Sequence, residues 1–219
     1  MNSNPFSLEE TTMFHRRHLM LAAAAALATA AGGAVAQGAG PVIGQPAPNF
    51  SAPDADGTTR SLNQYRGKTV VLEWTNADCP YVKKHYTGAM QALQRDATRD
   101  GVVWLSIVSS APGEQGHVNG AQAKQLTASR NASPTAVLLD PSGAVGRLYG
   151  AKTTPHMFVI NPQGRLVYAG GIDDVPTNKA EDLARAKPLV RLALADMKAG
   201  RAVAIPSSRP YGCAVKYKS

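Results

Sequence analysis

One stretch, Val70 to Tyr86, constrains this chain more than any other. Val70-Val71-Leu72-Glu73-Trp74-Thr75 is a β-branched and aromatic run of the kind that fills a buried strand. Asn76 to Asp78 break the pattern, and Cys79 is followed at once by Pro80. Proline suits the first turn of a helix, where its missing N–H is not needed. Helix formers continue to about Ala97, so the pattern predicts a strand, a tight turn and a helix from Pro80 to about Ala97 with Cys79 at its head. Free N–H groups and the positive dipole end favour a thiolate there, and Lys83 and Lys84 push the same way. Cys79 is therefore a candidate nucleophile; the alternative is a buried, inert cysteine acting as a small hydrophobe.

These residues resemble the active-site segment of the thioredoxin superfamily. The resemblance is to the branch that groups peroxiredoxin-like domains (alkyl hydroperoxide reductase, thiol-specific antioxidant) with periplasmic thiol–disulfide proteins. It implies an α/β thioredoxin-like fold: a central mixed sheet flanked by helices, here with an N-terminal hairpin and an extended C-terminal tail. In that superfamily the nucleophilic cysteine ends a central strand and opens a helix, and thioredoxin carries a buried acid six residues earlier. Glu73 holds that place relative to Cys79. The chain departs from the pattern at Val82, where C-x-x-C would have its second cysteine, and at Asn76, where a peroxiredoxin would have threonine.

Met1 to Ala36 reads as an export signal. Arg16-Arg17 precedes an apolar, alanine-rich segment from Leu19 to Ala31, and Ala34-Val35-Ala36 offers a cleavage site. The segment is too short and too weakly hydrophobic for a stable span, leaving no membrane span in the mature form; an uncleaved anchor is the alternative. A twin-arginine signal would deliver a folded protein to a bacterial periplasm, and the same pair serves equally as the basic region of an ordinary secretory signal. Residues 37–48 are a linker, 49–200 one redoxin domain, and 201–219 a tail. The net charge of +8 belongs to the mature part, because the signal holds two arginines and two glutamates. Its basic residues are scattered and no nucleic-acid-reading motif accompanies them, so nucleic acid is not an expected partner.

Along the domain, Asp56-Gly57 marks a hairpin within 49–62. Strands are expected at Val102–Val108, Ala136–Leu139, Met157–Ile160 and Leu166–Tyr168. Helices are expected at Ala121–Ser129, Lys179–Ala186 and Pro188–Ala199, the last with Leu189, Val190, Ala193, Leu194 and Met197 on one face. Thr154-Pro155 precedes a strand, where proline must take the first position. In thioredoxin-like proteins a T-P at this place is cis and lies against the active-site cysteine. The resemblance thus implies a cis Thr154-Pro155 bond whose Thr154 backbone is free to pair with a bound substrate chain or to stabilise a mixed disulfide.

The only other cysteine is Cys213, in the tail. A cysteine lacking a C-x-x-C partner attacks a peroxide or disulfide once and must then be resolved by a second thiol. Cys213 is the internal candidate, and an external thiol reductant is the alternative. A carboxyl on a central strand is costly unless paired or protonated, and one that keeps its proton near neutrality can exchange it with a thiol. Glu73 is accordingly a candidate proton relay; an acid neutralised by a neighbour is the bland alternative.

The resulting expectation is a periplasmic thiol oxidoreductase or antioxidant with no cofactor or metal. Its site residues are Cys79, Glu73, Thr154, Pro155 and Cys213, and its substrate is a peroxide or a protein or small-molecule disulfide. Two other classes remain open: copper delivery through Cys79, His85, Met90 and Cys213 as soft ligands, and a non-catalytic binding module.

Overall fold

A computed structural model describes residues 40–218; the expected export signal and the start of the linker, residues 37–39, lie outside them. The Asp56-Gly57 signal becomes a turn because Gly57 takes a φ of 81°, joining β1 (Ser51–Pro53) to β2 (Thr59–Ser61) as an antiparallel pair. A 3-10 turn at Leu62–Tyr65 buries Leu62 and leads into β3 (Val70–Trp74), all five of whose residues are buried. After β3 come α1 (Pro80–His85), α2 (Ala89–Arg99), β4 (Val103–Val108), α3 (Gly120–Ser129), β5 (Ala136–Leu139) and α4 (Ala144–Leu148). The chain ends with β6 (Thr153–Thr154), β7 (His156–Ile160), β8 (Leu166–Gly170), a 3-10 turn at Ala180–Ala184, α5 (Leu189–Lys198) and β9 (Cys213–Ala214).

The central sheet has the order β5-β4-β3-β7-β8. β3, β4 and β5 run parallel, while β7 and β8 are antiparallel, so the sheet is mixed as expected. Strands buried on both sides need two apolar faces, and β3 supplies both by alternation. Leu72 and Trp74 pack with Leu105, Ile107, Phe158, Phe50 and Tyr149 on one side. Val71 packs with Trp104, Met157 and Val159 on the other, covered by Met90, Leu93 and Ala97 of α2 and Leu189, Val190 and Ala193 of α5. Each of these large side chains stabilises the fold by about 1.5–3 kcal/mol when fully buried.

Two expected helices differ. The helix after Cys79 is broken at Tyr86–Gly88 rather than continuous to Ala97, because Gly88 adopts a φ of 139° that other residues disfavour. The freed ends are paired: Thr87 Oγ1 donates to the Lys84 carbonyl at 2.8 Å, and Gln91 Nε2 to the Tyr86 carbonyl at 2.8 Å. The helix expected over Lys179–Ala186 is only the 3-10 turn at Ala180–Ala184. Among the described residues no helix is long and apolar enough to cross a membrane.

Candidate active site

β3 lies in the middle of the sheet, so its end delivers the next residues to the centre of the molecule's edge. Side chains fix the turn there. Asn76 Oδ1 accepts from the Asp78 N–H at 2.8 Å, Asn76 Nδ2 donates to the Gln115 carbonyl at 3.2 Å, and Arg130 Nη2 donates to the Ala77 carbonyl at 2.8 Å. Cys79 follows, its N–H bonded to the Asn76 carbonyl at 3.2 Å and its carbonyl accepting from Lys83 N at 2.9 Å as α1 begins at Pro80. Cys79 is fully covered, at 0% exposure.

The Thr154-Pro155 bond is cis. The Thr154 carbonyl accepts the Cys79 thiol at 3.1 Å, so this loop lies against the sulfur. The Thr154 backbone is not free, however: β9 pairs with β6 antiparallel, with Cys213 opposite Thr154. The place expected to receive a substrate strand therefore holds the chain's own tail. Cys213 Sγ lies 2.6 Å from Cys79 Sγ, both as free thiols.

The tail is pinned on both sides of Cys213. Upstream, Ser208 N donates to the Ala169 carbonyl at 3.2 Å, and Ser208 Oγ shares a hydrogen bond with the Tyr168 hydroxyl at 2.8 Å. Downstream, Val215 N donates to the Lys152 carbonyl at 3.1 Å, Ala111 N to the Lys216 carbonyl at 2.8 Å, and the Tyr217 hydroxyl to the Ala151 carbonyl at 2.7 Å. Gly212 has a φ of 137°, and a Cβ at this position would collide with the Thr154 carbonyl oxygen.

The two sulfurs differ chemically. Burial pushes the Cys79 thiol up, but hydrogen bonds from the Cys213 thiol and from backbone N–H groups such as that of Val82 outweigh it, holding Cys79 below the ordinary thiol range. Burial and the neighbouring Cys79 push Cys213 up to about 11. Of the two sulfurs, Cys79 is the one that gives up its proton first.

Glu73 is not joined to the sulfurs. It is fully buried on β3 and accepts hydrogen bonds from Tyr86 Oη (2.9 Å), Gln94 Nε2 (3.1 Å), Trp104 Nε1 (2.8 Å) and Ser106 Oγ (2.8 Å). Burial and then Glu73 itself push the Tyr86 hydroxyl well up, so Tyr86 stays a donor. None of the four partners is Cys79, and Glu73 thereby fastens β3, β4 and α2 together. The proton-relay expectation has no hydrogen-bonded path here.

Lys84 also departs from expectation. Instead of supporting a thiolate it is fully buried, with Nζ 3.2 Å from Asp173 Oδ2, 2.9 Å from the Val175 carbonyl and 3.4 Å from the Tyr211 hydroxyl. His85 Nε2 lies 3.2 Å from that hydroxyl, which also donates to Asp173. His85 is thus occupied and Met90 sits in the core, so the copper set Cys79, His85, Met90 and Cys213 is not assembled. Among the described residues no three His, Cys, Asp or Glu side chains converge. Asp173 and Tyr211 were not singled out in the sequence, and Lys84 only as a charge near Cys79. The available signal was Tyr211-Gly212-Cys213, an aromatic anchor and a glycine just before the cysteine.

With this geometry in place, the model of the AhpC/TSA family matches residues 43–169. The chain belongs to that family. Two solved structures resemble this AhpC/TSA member over most of its length. An uncharacterized conserved protein from Geobacillus kaustophilus is 24% identical, with a TM-score of 0.68 over 81% of this chain and 93% of its own. A hypothetical protein from Sinorhizobium meliloti 1021 is 25% identical, with a TM-score of 0.64 over 81% and 96%. No curated protein matches. The domain is a thioredoxin-fold redoxin, and the AhpC/TSA match ends before Asp173, Tyr211 and Cys213.

Proposed function

We propose that this AhpC/TSA protein is an exported thiol–disulfide oxidoreductase whose redox couple is Cys79 and Cys213. The observation that carries this reading is the 2.6 Å separation of the two sulfurs, produced by a strand register that sets Cys213 opposite Thr154. Cys79 alone would stop at a mixed disulfide; a second sulfur already in place completes a two-electron cycle within one chain.

In the oxidised form the sulfurs share a bond. An external thiolate attacks the half-buried Cys213 Sγ, because Cys79 Sγ is covered. The S–S bond breaks, its electron pair leaves with Cys79, and a mixed disulfide remains on Cys213. The lowered Cys79 thiol is the better leaving group. A second substrate thiolate then attacks the mixed disulfide, releasing the substrate disulfide and the Cys213 thiolate, which takes up a proton. An external disulfide or a peroxide restores the Cys79–Cys213 bond. The partners are therefore thiols and disulfides, and the twin-arginine-like stretch at 1–36 supports a periplasmic site of action, where such a bond persists.

The test is peptide mapping of unreduced protein after equilibration with oxidised and reduced glutathione. The reading expects a Cys79–Cys213 linked peptide, absent from Cys79→Ser and Cys213→Ser. Two free thiols at every glutathione ratio would end it. Comparing oxidation by hydrogen peroxide with oxidation by a small disulfide in stopped flow then separates the physiological oxidants.

A further inference from the structure

The cluster of Lys84, His85, Asp173 and Tyr211 has no part in the exchange step, yet it gathers three deeply buried titratable groups. Lys84, His85 and Asp173 are 2%, 2% and 4% exposed. Burying an ammonium and a carboxylate is costly unless their remaining hydrogen bonds are made, and here the Tyr211 hydroxyl makes one of them. Tyr211 lies in the tail, two residues before Cys213. Its partners Tyr81, Lys84 and His85 lie on α1 at spacings of three and four, which is one helix face. The Tyr81 and Tyr211 rings meet edge to face with centroids 5.9 Å apart. Lys84 Nζ also stands 5.5 Å from the Tyr211 ring centroid.

The helix that grips Tyr211 is the one that starts immediately after Cys79. Both cysteines are thus referred to the same rigid element, Cys79 through Pro80 and Cys213 through Gly212. We infer that Tyr211 is a positioning residue for the redox couple: its hydroxyl, held by Asp173, Lys84 and His85, docks the tail so that Cys213 stands over Cys79. The inference rests on the reading of Cys79 and Cys213 as that couple. Its physical content is effective concentration. The sulfurs are 134 residues apart in the chain, and a tail docked in advance has already met the entropy of bringing them together.

Two measurements test it. The first is the equilibrium constant for forming the Cys79–Cys213 disulfide in glutathione buffers, for the full chain and for Tyr211→Phe, which keeps the ring and loses the hydroxyl. The expected result is a fall of about tenfold, the scale of one lost anchoring contact of about 1.4 kcal/mol. The second is the alkylation rate of Cys79 by iodoacetamide in Cys213→Ser and in Cys213→Ser/Tyr211→Phe; a tail lifting off the sulfur raises it about tenfold, by the same conversion. A merely structural tyrosine would lower the melting temperature and leave both readouts within about twofold, by the same conversion, and that result overturns the inference. Asp173→Asn, which leaves the tail sequence intact, must move both readouts in the same direction. If the wild-type chain forms no internal disulfide, the redox reading fails, while the alkylation rates still decide whether Tyr211 holds the tail over Cys79.

Discussion

Glu73 and Asp173 are both buried carboxylates with a tyrosine hydroxyl among their donors, Tyr86 for one and Tyr211 for the other. They differ in what they join. Glu73 ties together elements inside the stretch matched by the AhpC/TSA family, and its four donors are all neutral. Asp173 lies beyond that stretch, faces the ammonium of Lys84, and connects α1 to the tail that carries Cys213. An acid at a motif position can be wholly spent on packing, while an acid with no motif can decide where a reactive group stands.

The largest effect expected from separating the two acids is on stability. Asp173→Leu leaves the Lys84 charge buried without its counter-ion, which costs about 3–5 kcal/mol in urea unfolding. The same variant should release the tail and suppress the internal disulfide. Loss of stability with an unchanged disulfide equilibrium would erase the distinction.

Acid acts through two buried histidines, of which His85 stands beside Asp173. Burial pushes His85 down to about 4, with Lys84 adding to the fall and Asp173 opposing it; burial and then Lys152 push His156 down to about 4. The unfolded chain takes up these protons near the ordinary value of 6.5 and the folded chain only near 4. Stability is therefore complete above about 6.5 and declines as pH falls toward about 4, by up to about 3 kcal/mol per histidine. His85→Gln should remove roughly half of that slope, by the same per-group linkage. A slope unchanged by His85→Gln would show that His156 alone carries it.

Glu73→Gln should cost about 1–3 kcal/mol, since an amide cannot satisfy the same donors on both of its ends. The rate of Cys79 alkylation across pH should not change. A displaced pH profile would connect Glu73 to the sulfur after all and restore the relay.

Gly212→Ala should cost about 1 kcal/mol in unfolding, because a residue with a Cβ is strained at a φ of 137° while the core is untouched. Its methyl meets the Thr154 carbonyl, so the same variant should sharply reduce disulfide formation. A full yield of disulfide from Gly212→Ala would mean that the β6–β9 pairing does not set the sulfur geometry.

What was legible in the sequence was local. Val70–Trp74, the Cys79-Pro80 step and Thr154-Pro155 announce themselves through strand pattern and proline chemistry within a few residues. The break at Gly88 was equally local but lay within a run of good helix formers, and only its positive φ and the pairing of its ends make it a boundary. Lys84 read as a surface or site charge because lysine is almost never fully buried unless paired. Its partners stand 89 and 127 residues away, at Asp173 and Tyr211, and no window of sequence holds them together. The position of Cys213 over Cys79 was open for the same reason: distance along the tail does not state where the tail lies.

The path of the tail has a consequence for how the protein would respond to a protease. Arg201, Ala202, Ala204 and Ile205 are exposed between α5 and the contacts of Pro206 and Ser208 with Ala169, with Arg201 and Ala204 bonded back to Asp196. A cut there by trypsin after Arg201 would leave a severed peptide seated in its groove. In the oxidised protein that peptide would stay attached through Cys213, and adding a reductant would let it leave. Electrophoresis of nicked protein with and without reductant would thus report the state of one covalent link by whether a small fragment departs.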